Sequence, residues 1–359
     1  MYIRKNKNIS FVEAINESIY IEMLKNKKLV TFGLGINDPK RIFGSTKGLV
    51  EKFGSRRVFD VPTSENALTG IGLGLSLGGN SVLMTHQRAD FFLLAFDQLI
   101  NSISKWNYMF DGNSGNVNIT IRLIVGRGWG QGPTHSQNLQ SVFSHFPGLK
   151  VIIPTTPYDA KGLLASSLRD PNPVIFLEHR WLHNSVGSVP TKNYFVSLEK
   201  SKILKKGKEI TIISTSYMTP EIKNIYSKLR EKNLDFEHID LICCKPLDKK
   251  TIIKSVKKTG RVVILDTGFE SNSISSEIIA LINQYCFKNL KYKPLKITVP
   301  DIPEPTSYGL TKYYYANSKN ILDKILKVFN KKANKIVTKS KTKAFIHHDV
   351  PGEWFKGPF

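Results

Sequence analysis

Short apolar runs alternate with longer runs of helical spacing along this chain, and they do so in two blocks. In the first block "KLVTFGLG", "SVLMTH", "NITIRLIVG", "KVIIP" and "PVIFLEH" read as strands. Around them, "FVEAINESIYIEML", "SENALTGIGLGLSLGG", "DFFLLAFDQLINSISKW", "HSQNLQSVFSHF" and "PYDAKGLLASSLRD" read as helices. Ser10 is placed to cap the first helix, and Gly78-Gly79 to end the second. Strands that alternate with helices of this length are joined by crossovers, and crossovers build parallel sheets covered on both faces. The second block repeats the order. "EITIIST", "DFEHIDL", "RVVILDTG" and "LKITVP" are its strands, separated by "TPEIKNIYSKLREKN", "KKTIIKSVKKT" and "SNSISSEIIALINQY", and "NILDKILKVFN" closes it. The expected fold class is therefore α/β, with two doubly wound, mostly parallel sheet domains.

The stretch 182–208 breaks the alternation with Gly, Pro and many charges, and reads as the interdomain connection. The expected organisation is a first domain over 1–185, a linker over 186–208, a second domain over 209–330 and a tail over 331–359. The tail begins in a basic run, "NKKANKIVTKSKTK", and ends in "AFIHHDVPGEWFKGPF". That ending holds too many large apolar side chains for a purely solvated segment, so it is expected to dock on this subunit or a partner.

A length of 359 residues suffices for two ordinary cores, and an apolar fraction of 41% excludes a disordered composition. No run of 18 apolar residues appears, so no membrane-spanning helix is expected. The first residues lack an apolar stretch with a small-residue cleavage site, which argues against a secretory signal. Cys243, Cys244 and Cys286 are too few and too badly spaced for a disulfide framework or a zinc site, and fit a reducing cytoplasm. The net charge of +23 raises nucleic-acid binding, but the lysines are mostly scattered rather than gathered in one aromatic-lined groove. Neither a nucleic-acid nor a membrane partner is expected.

The glycines divide by context. In "GIGLGLSLGG" they lie inside a helical run, whereas a dinucleotide fingerprint sits between a strand and a helix; close helix packing is the better reading. "VGRGWGQGPTHSQ" (125–137) follows a strand and leads towards a helix, with His135 beside its start. Close backbone approach to a ligand and a surface turn with a capping His both remain open there. "FDGNSGN" reads as a tight turn rather than a metal–diphosphate loop. His347-His348 has no partner cluster of ligating residues in sequence. Neither a nucleophile elbow nor a P-loop is present. Glu65, in "DVPTSENAL", is either an acid at a helix start with Ser64 or Thr63 as cap, or a carboxylate kept for chemistry.

Taken in order, "DVPTSENALTGIGLGLSLGG", "ADFFLLAFDQLINSISKWNYM", "PTHSQNLQSVFSHFPGLKVIIPTTPYDAKGLL" and "RDPNPVIFLEH" resemble the β subunit of the decarboxylase component of 2-oxoacid dehydrogenases. That group includes the pyruvate and branched-chain enzymes and is similar to the last two domains of transketolase. "FEHIDLICCKPLDKKTIIKSVKKTGRVVILDTG" and "VPDIPEPTSYGLTKYYYANSKNILDKI" resemble the family's C-terminal domain and closing segment, so the likeness runs over roughly residues 9 to 330.

The resemblance implies thiamine diphosphate as cofactor, bound between two chains. The diphosphate and its magnesium would be held mainly by an α subunit, whose Gly-Asp-Gly motif has no convincing copy here. An α2β2 heterotetramer, a 2-oxo acid substrate and a lipoyl acyltransferase as acyl acceptor follow from the same likeness. It places Glu65 beside the aminopyrimidine ring nitrogen, Phe91 against the ring face and Gln87 near the same ring. His135 would face the reactive side, where imidazole suits proton transfer to a substrate oxygen. No metal ligand is expected on this chain.

Three departures stand out. Leu34 occupies the place of a Glu that helps link the family's two active sites. Arg88 and Arg127 bring additional cations towards the site, either as surface charge or as contacts for an anionic or phosphorylated substrate. The alternative function is a transketolase-type or acyloin-type carboligase. A non-catalytic basic binding protein on the same fold is a third reading, against which Glu65, Phe91 and His135 together stand.

Overall fold

A computed structural model describes residues 6–113, 115–126 and 131–329. Its strands in chain order are β1 Asn6–Ser10, β2 Leu29–Gly33, β3 Val58–Asp60, β4 Ser81–His86, β5 Ile119–Val125, β6 Lys150–Ile152 and β7 Val174–His179. β8 Val186–Pro190, β9 Lys202–Lys205, β10 Ile210–Ser214, β11 Phe236–Asp240, β12 Cys243–Lys245, β13 Val262–Phe269 and β14 Leu295–Val299 follow. They fall in two compact units. Of the described residues, the first holds those up to 126, 137–199 and 242–247, and the second holds 131–136, 200–241 and 248–329.

In the first unit seven strands run in the order β12-β6-β7-β5-β4-β2-β3. All pairs are parallel except β12 with β6. Every residue of β5 and β7 is buried, as expected of central strands covered on both faces. The helix Phe11–Lys25 starts where the sequence places it. Ser10 and Glu13 form a reciprocal capping box, with the Ser10 backbone N–H donating to Glu13 Oε2 at 2.7 Å. It packs on the helix Pro157–Ser167, where Ser18 Oγ donates to the Lys161 carbonyl at 3.0 Å. In the helix Glu65–Leu77, a Cβ added to Gly72 would lie 2.7 Å from Met84 Sδ, so a glycine of "GIGLGLSLGG" does serve close packing.

Three local expectations change. The stretch 186–208 holds two strands. β8 pairs antiparallel with β1, and β9 pairs antiparallel with β11 in the second unit. Cys243–Lys245 is not an extension of the second block but the edge strand of the first sheet, where it covers the open side of β6. The run "DFFLLAFDQLINSISKW" is not one regular helix. It passes from α over Ala89–Phe92 through a 3-10 turn at Leu93–Ala95 to a π-helical segment at Asp97–Ile103.

The second unit has the sheet β14-β13-β10-β11-β9, parallel apart from β9. Its helix Lys249–Thr259 ends at Gly260, whose φ of 70° is the left-handed conformation a helix stop uses. A buried polar chain crosses the sheet. Tyr226 Oη meets His238 Nδ1 at 2.5 Å and Ser214 Oγ meets His238 Nε2 at 2.7 Å, while Thr219 Oγ1 donates to Asp240 Oδ1 at 2.8 Å.

Burial pushes His238 down to about 3, helped by Lys223. In the first unit burial takes His86 and His183 down to about 4; for His183, Glu178 opposes the shift and Arg180 and Arg122 add to it. These bases are neutral in the fold and charge more readily once unfolded. The unfolded chain therefore binds more protons below about pH 6.5, and stability falls as pH drops from there towards the folded values. We expect thermal melts to be level from about pH 8 to 7 and to decline steadily below about pH 6.5. A melting temperature constant down to about pH 4.5 is the contrary result.

Candidate active site

Ligands of open parallel sheets bind at the carboxyl ends of the strands, where the connecting loops gather. In the first unit that edge carries Gly35 after β2, Glu65 after β3, Gln87 and Arg88 after β4, Gly126 after β5 and Arg180 after β7. The sheet order sets β5 between β4 and β7, so Arg88 and Arg180 leave the strands on either side of Gly126.

Glu65 is the first residue of its helix and is 5% exposed. Ser64 occupies the cap position but its side chain makes no capping hydrogen bond. Among the described residues the Glu65 carboxylate accepts no hydrogen bond, although its main-chain carbonyl takes one from Thr69 Oγ1 at 2.7 Å. Ser64 therefore does not cap this helix, and Glu65 stands in its first turn, where the macrodipole favours an acid.

Gln87 Nε2 donates to Asp38 Oδ2 at 3.2 Å. Gly35, at φ 81°, lies directly against it, and an added Cβ there would come within 2.0 Å of Nε2. Asp60 Oδ1 accepts from Gly35 N–H at 2.9 Å, so the loops after β2, β3 and β4 are tied together by side-chain bonds. Phe91 is 42% exposed, while its neighbour Phe92 is fully buried against His86 (centroids 4.8 Å apart) and Phe143. Phe92 thus fills the core, while Phe91 is half-exposed.

Arg88 and Arg180 are each 5% exposed. Arg88 Nη1 donates to the Gly126 carbonyl at 3.1 Å. Burial pushes its guanidinium down to about 10, opposed by Asp90, and it stays charged at neutral pH. Asp90 Oδ1 accepts from both Gln137 N–H (3.3 Å) and Gln137 Nε2 (2.9 Å). Arg180, absent from the sequence-derived candidates, lies 4.2 Å over the Phe43 ring and is lowered to about 10 by burial and then by Arg88. The available signal was a basic residue directly after the strand "PVIFLEH".

Two further expected residues do not belong to the described part of the first unit. His135 belongs to the second unit, where its Nδ1 is 2.9 Å from Thr134 Oγ1 and its N–H donates to the Gly132 carbonyl at 3.4 Å. Arg127 lies outside the described residues, as do the tail 331–359 and His347-His348. Among the described residues, no group of three or more His, Cys, Asp or Glu is arranged to hold a metal ion, and no helix is long and apolar enough to cross a membrane.

Fold and strand-edge site define a protein of the transketolase class. Residues 7–184 match the transketolase pyrimidine-binding domain and residues 199–321 the transketolase C-terminal domain. The 2-oxoisovalerate dehydrogenase subunit beta of Bacillus subtilis is 32% identical over 311 residues, covering 86% of this chain and 95% of that protein. The pyruvate dehydrogenase E1 component subunit beta of Cyanidium caldarium is 35% identical over 311 residues, covering 87% and 95%. The acetoin:2,6-dichlorophenolindophenol oxidoreductase subunit beta of Cupriavidus necator is 34% identical over 325 residues, covering 88% and 96%. A solved structure described as a split gene transketolase, inactive beta4 tetramer, superposes with a TM-score of 0.73 at 19% identity, over 90% of this chain and 99% of that one. It agrees in fold. The chain belongs to the family of β subunits of 2-oxoacid dehydrogenase E1 components.

Proposed function

We propose that this chain is the β half of a thiamine-diphosphate-dependent enzyme that decarboxylates a 2-oxo acid. With an α subunit, in an α2β2 assembly, it passes the acyl group to a lipoyl acyltransferase. The observation that carries the reading is the buried Glu65 carboxylate, free of hydrogen bonds to the described residues, at the carboxyl edge of a sheet that also presents Phe91. This donor set fits an aromatic cofactor ring with a protonatable nitrogen. When bound, thiamine diphosphate supplies a carbon nucleophile and an electron sink for the departing carboxylate. Glu65 holds the proton at the ring nitrogen, and burial makes that pairing stronger than it would be in water. Phe91 lends its face to the ring. Gln87, held by Asp38, lines the same edge. The family likeness gives His135, in the second unit, the proton exchange at the substrate oxygen. Arg88 and, in the glycine-rich loop, Arg127 are the contacts for substrate anions.

Magnesium and the diphosphate fall to the α subunit. The named relatives favour the dehydrogenase over the transketolase-type carboligase. The unbridged Cys243, Cys244 and Cys286 support a reducing, cytoplasmic setting. The test is co-expression with an α chain, followed by calorimetric titration with thiamine diphosphate and magnesium. CO2 release is then measured over a panel of 2-oxo acids. Saturable cofactor binding with decarboxylation is expected; an intact assembly that binds no thiamine diphosphate overturns the reading.

A further inference from the structure

We propose that the first unit carries a second binding site, for the base of an adenine nucleoside or nucleotide, at the amino ends of β6 and β7. It lies on the edge of the sheet opposite Glu65 and does not rest on the function proposed above.

A cavity of about 410 Å³ opens at that edge, within the span of about 300 to 1,000 Å³ usual for small-molecule sites. Its walls come from residues 104–108, from the turn Pro147-Gly148 just before β6 and from Asn172-Pro173 just before β7. β6 and β7 run parallel, so their starts lie side by side. Gly148, at φ 87°, lies so close to the Ser104 carbonyl that a Cβ has no room there. The turn and the helical segment therefore meet as one wall.

The polar end of the cavity is set by a relay of side chains. Lys150 Nζ donates to Asp170 Oδ2 at 2.5 Å. Asp170 Oδ1 accepts from the Asn172 backbone N–H at 2.9 Å and from Asn172 Nδ2 at 3.1 Å. A backbone N–H can only donate, so Oδ1 is an acceptor and the Asn172 amide must turn its NH2 towards it. Asn172 Oδ1 is left to accept from Asn107 Nδ2 at 3.3 Å. The relay thus fixes the Asn107 amide and ends on its Oδ1. That oxygen is buried and takes no hydrogen bond from the described residues. A buried acceptor without a donor is costly, and a ligand N–H removes that cost.

The adjoining residue, Tyr108, lines the same cavity and is 91% exposed. Its ring is spent on no core packing and is open to stacking by a flat group. Pro147 and Pro173 add apolar wall. A flat ring that carries an exocyclic amine satisfies both demands. Adenine has this form, and asparagine is the side chain that suits it. Hypoxanthine sets an oxygen where adenine has its amine, and Asn107 Oδ1 would repel it.

The test uses the full-length chain co-expressed with its α chain, in calorimetric titration with adenosine, AMP and inosine. Adenosine or AMP is expected to bind saturably, about tenfold or more tighter than inosine. Asn107→Leu and Tyr108→Ala should each weaken the adenine ligand by about tenfold or more, and Tyr108→Phe should retain most of the affinity. Tyr108 lies at the surface, so a loss in Tyr108→Ala is not a folding defect; circular dichroism checks Asn107→Leu. Excess thiamine diphosphate should not displace adenosine. Equal affinity for adenosine and inosine, or affinity indifferent to both Asn107→Leu and Tyr108→Ala, overturns the site. Displacement by thiamine diphosphate does the same, as does a folded wild type that binds neither adenosine nor AMP. Decarboxylation of 2-oxo acids is read separately, so either conclusion can fail while the other stands.

Discussion

Glu65→Gln should lower turnover of the assembled enzyme by about 10² to 10⁴ while leaving the fold intact. The substitution preserves shape and removes only the charge. Because that charge is buried without a hydrogen bond from the described residues, the neutral amide is expected to melt at the same temperature or slightly higher. Loss of activity with retained stability is the signature of a residue kept for chemistry at some expense to the fold. Glu65→Asp withdraws the carboxylate by one methylene and should cost on the order of 10²-fold, since placement matters at the scale of about 1 Å. Calorimetric titration with thiamine diphosphate and steady-state kinetics on the same preparations check both. Near wild-type turnover in Glu65→Gln sinks the assigned role.

The largest stability effect is expected at Arg122 and Glu178. Both side chains are wholly buried on adjacent strands β5 and β7 and meet in two parallel hydrogen bonds. Burial pushes the Glu178 carboxyl up, but Arg122 and the contact with His183 more than offset it and bring it to about 2. His183 is neutral at pH 7, so its 3.4 Å approach to Glu178 is not an ion pair there. Arg122→Met leaves a carboxylate stranded in the core and should cost about 3 to 5 kcal/mol. Arg122→Met combined with Glu178→Leu should recover most of that loss, because it removes both desolvated charges. The Glu178 contribution is present above its unfolded value near 4.3 and is lost as pH falls towards about 2. Urea unfolding of the two singles and the double completes the cycle. A single variant within about 1 kcal/mol of wild type would show that the pair is not holding this core.

The alternation of short apolar runs with helical runs is local information, and both sheets were legible in it. Ser10 was legible as the cap of the first helix, and the structure adds Glu13 as its reciprocal partner. The strand Cys243–Lys245 was not legible. "DFEHIDLICCK" is continuous apolar text, and nothing within it says that its last residues leave one sheet for the edge of another. The change of helical winding between Ala89 and Ile103 was equally hidden, since the same residues satisfy a regular amphipathic helix by spacing alone.

The site divides along the same line. Glu65, Phe91 and Gln87 were named through the family resemblance and Arg88 as a departure from it, and all four follow β3 or β4 in the first unit. Their states could not be named. Ser64 looks like a cap and makes no cap bond; Gln87 is held by Asp38, 49 residues away; Arg180 lies over the ring of Phe43, far from it in the chain. The sequence by itself determined the period of each element, and with it the fold class, because period depends on neighbours a few residues apart. Only the tertiary structure decided which strand pairs with which, which residues are buried and which charged groups meet in the core, as Arg122 and Glu178 do. Desolvation and charge coupling depend on groups that the chain brings together from far apart.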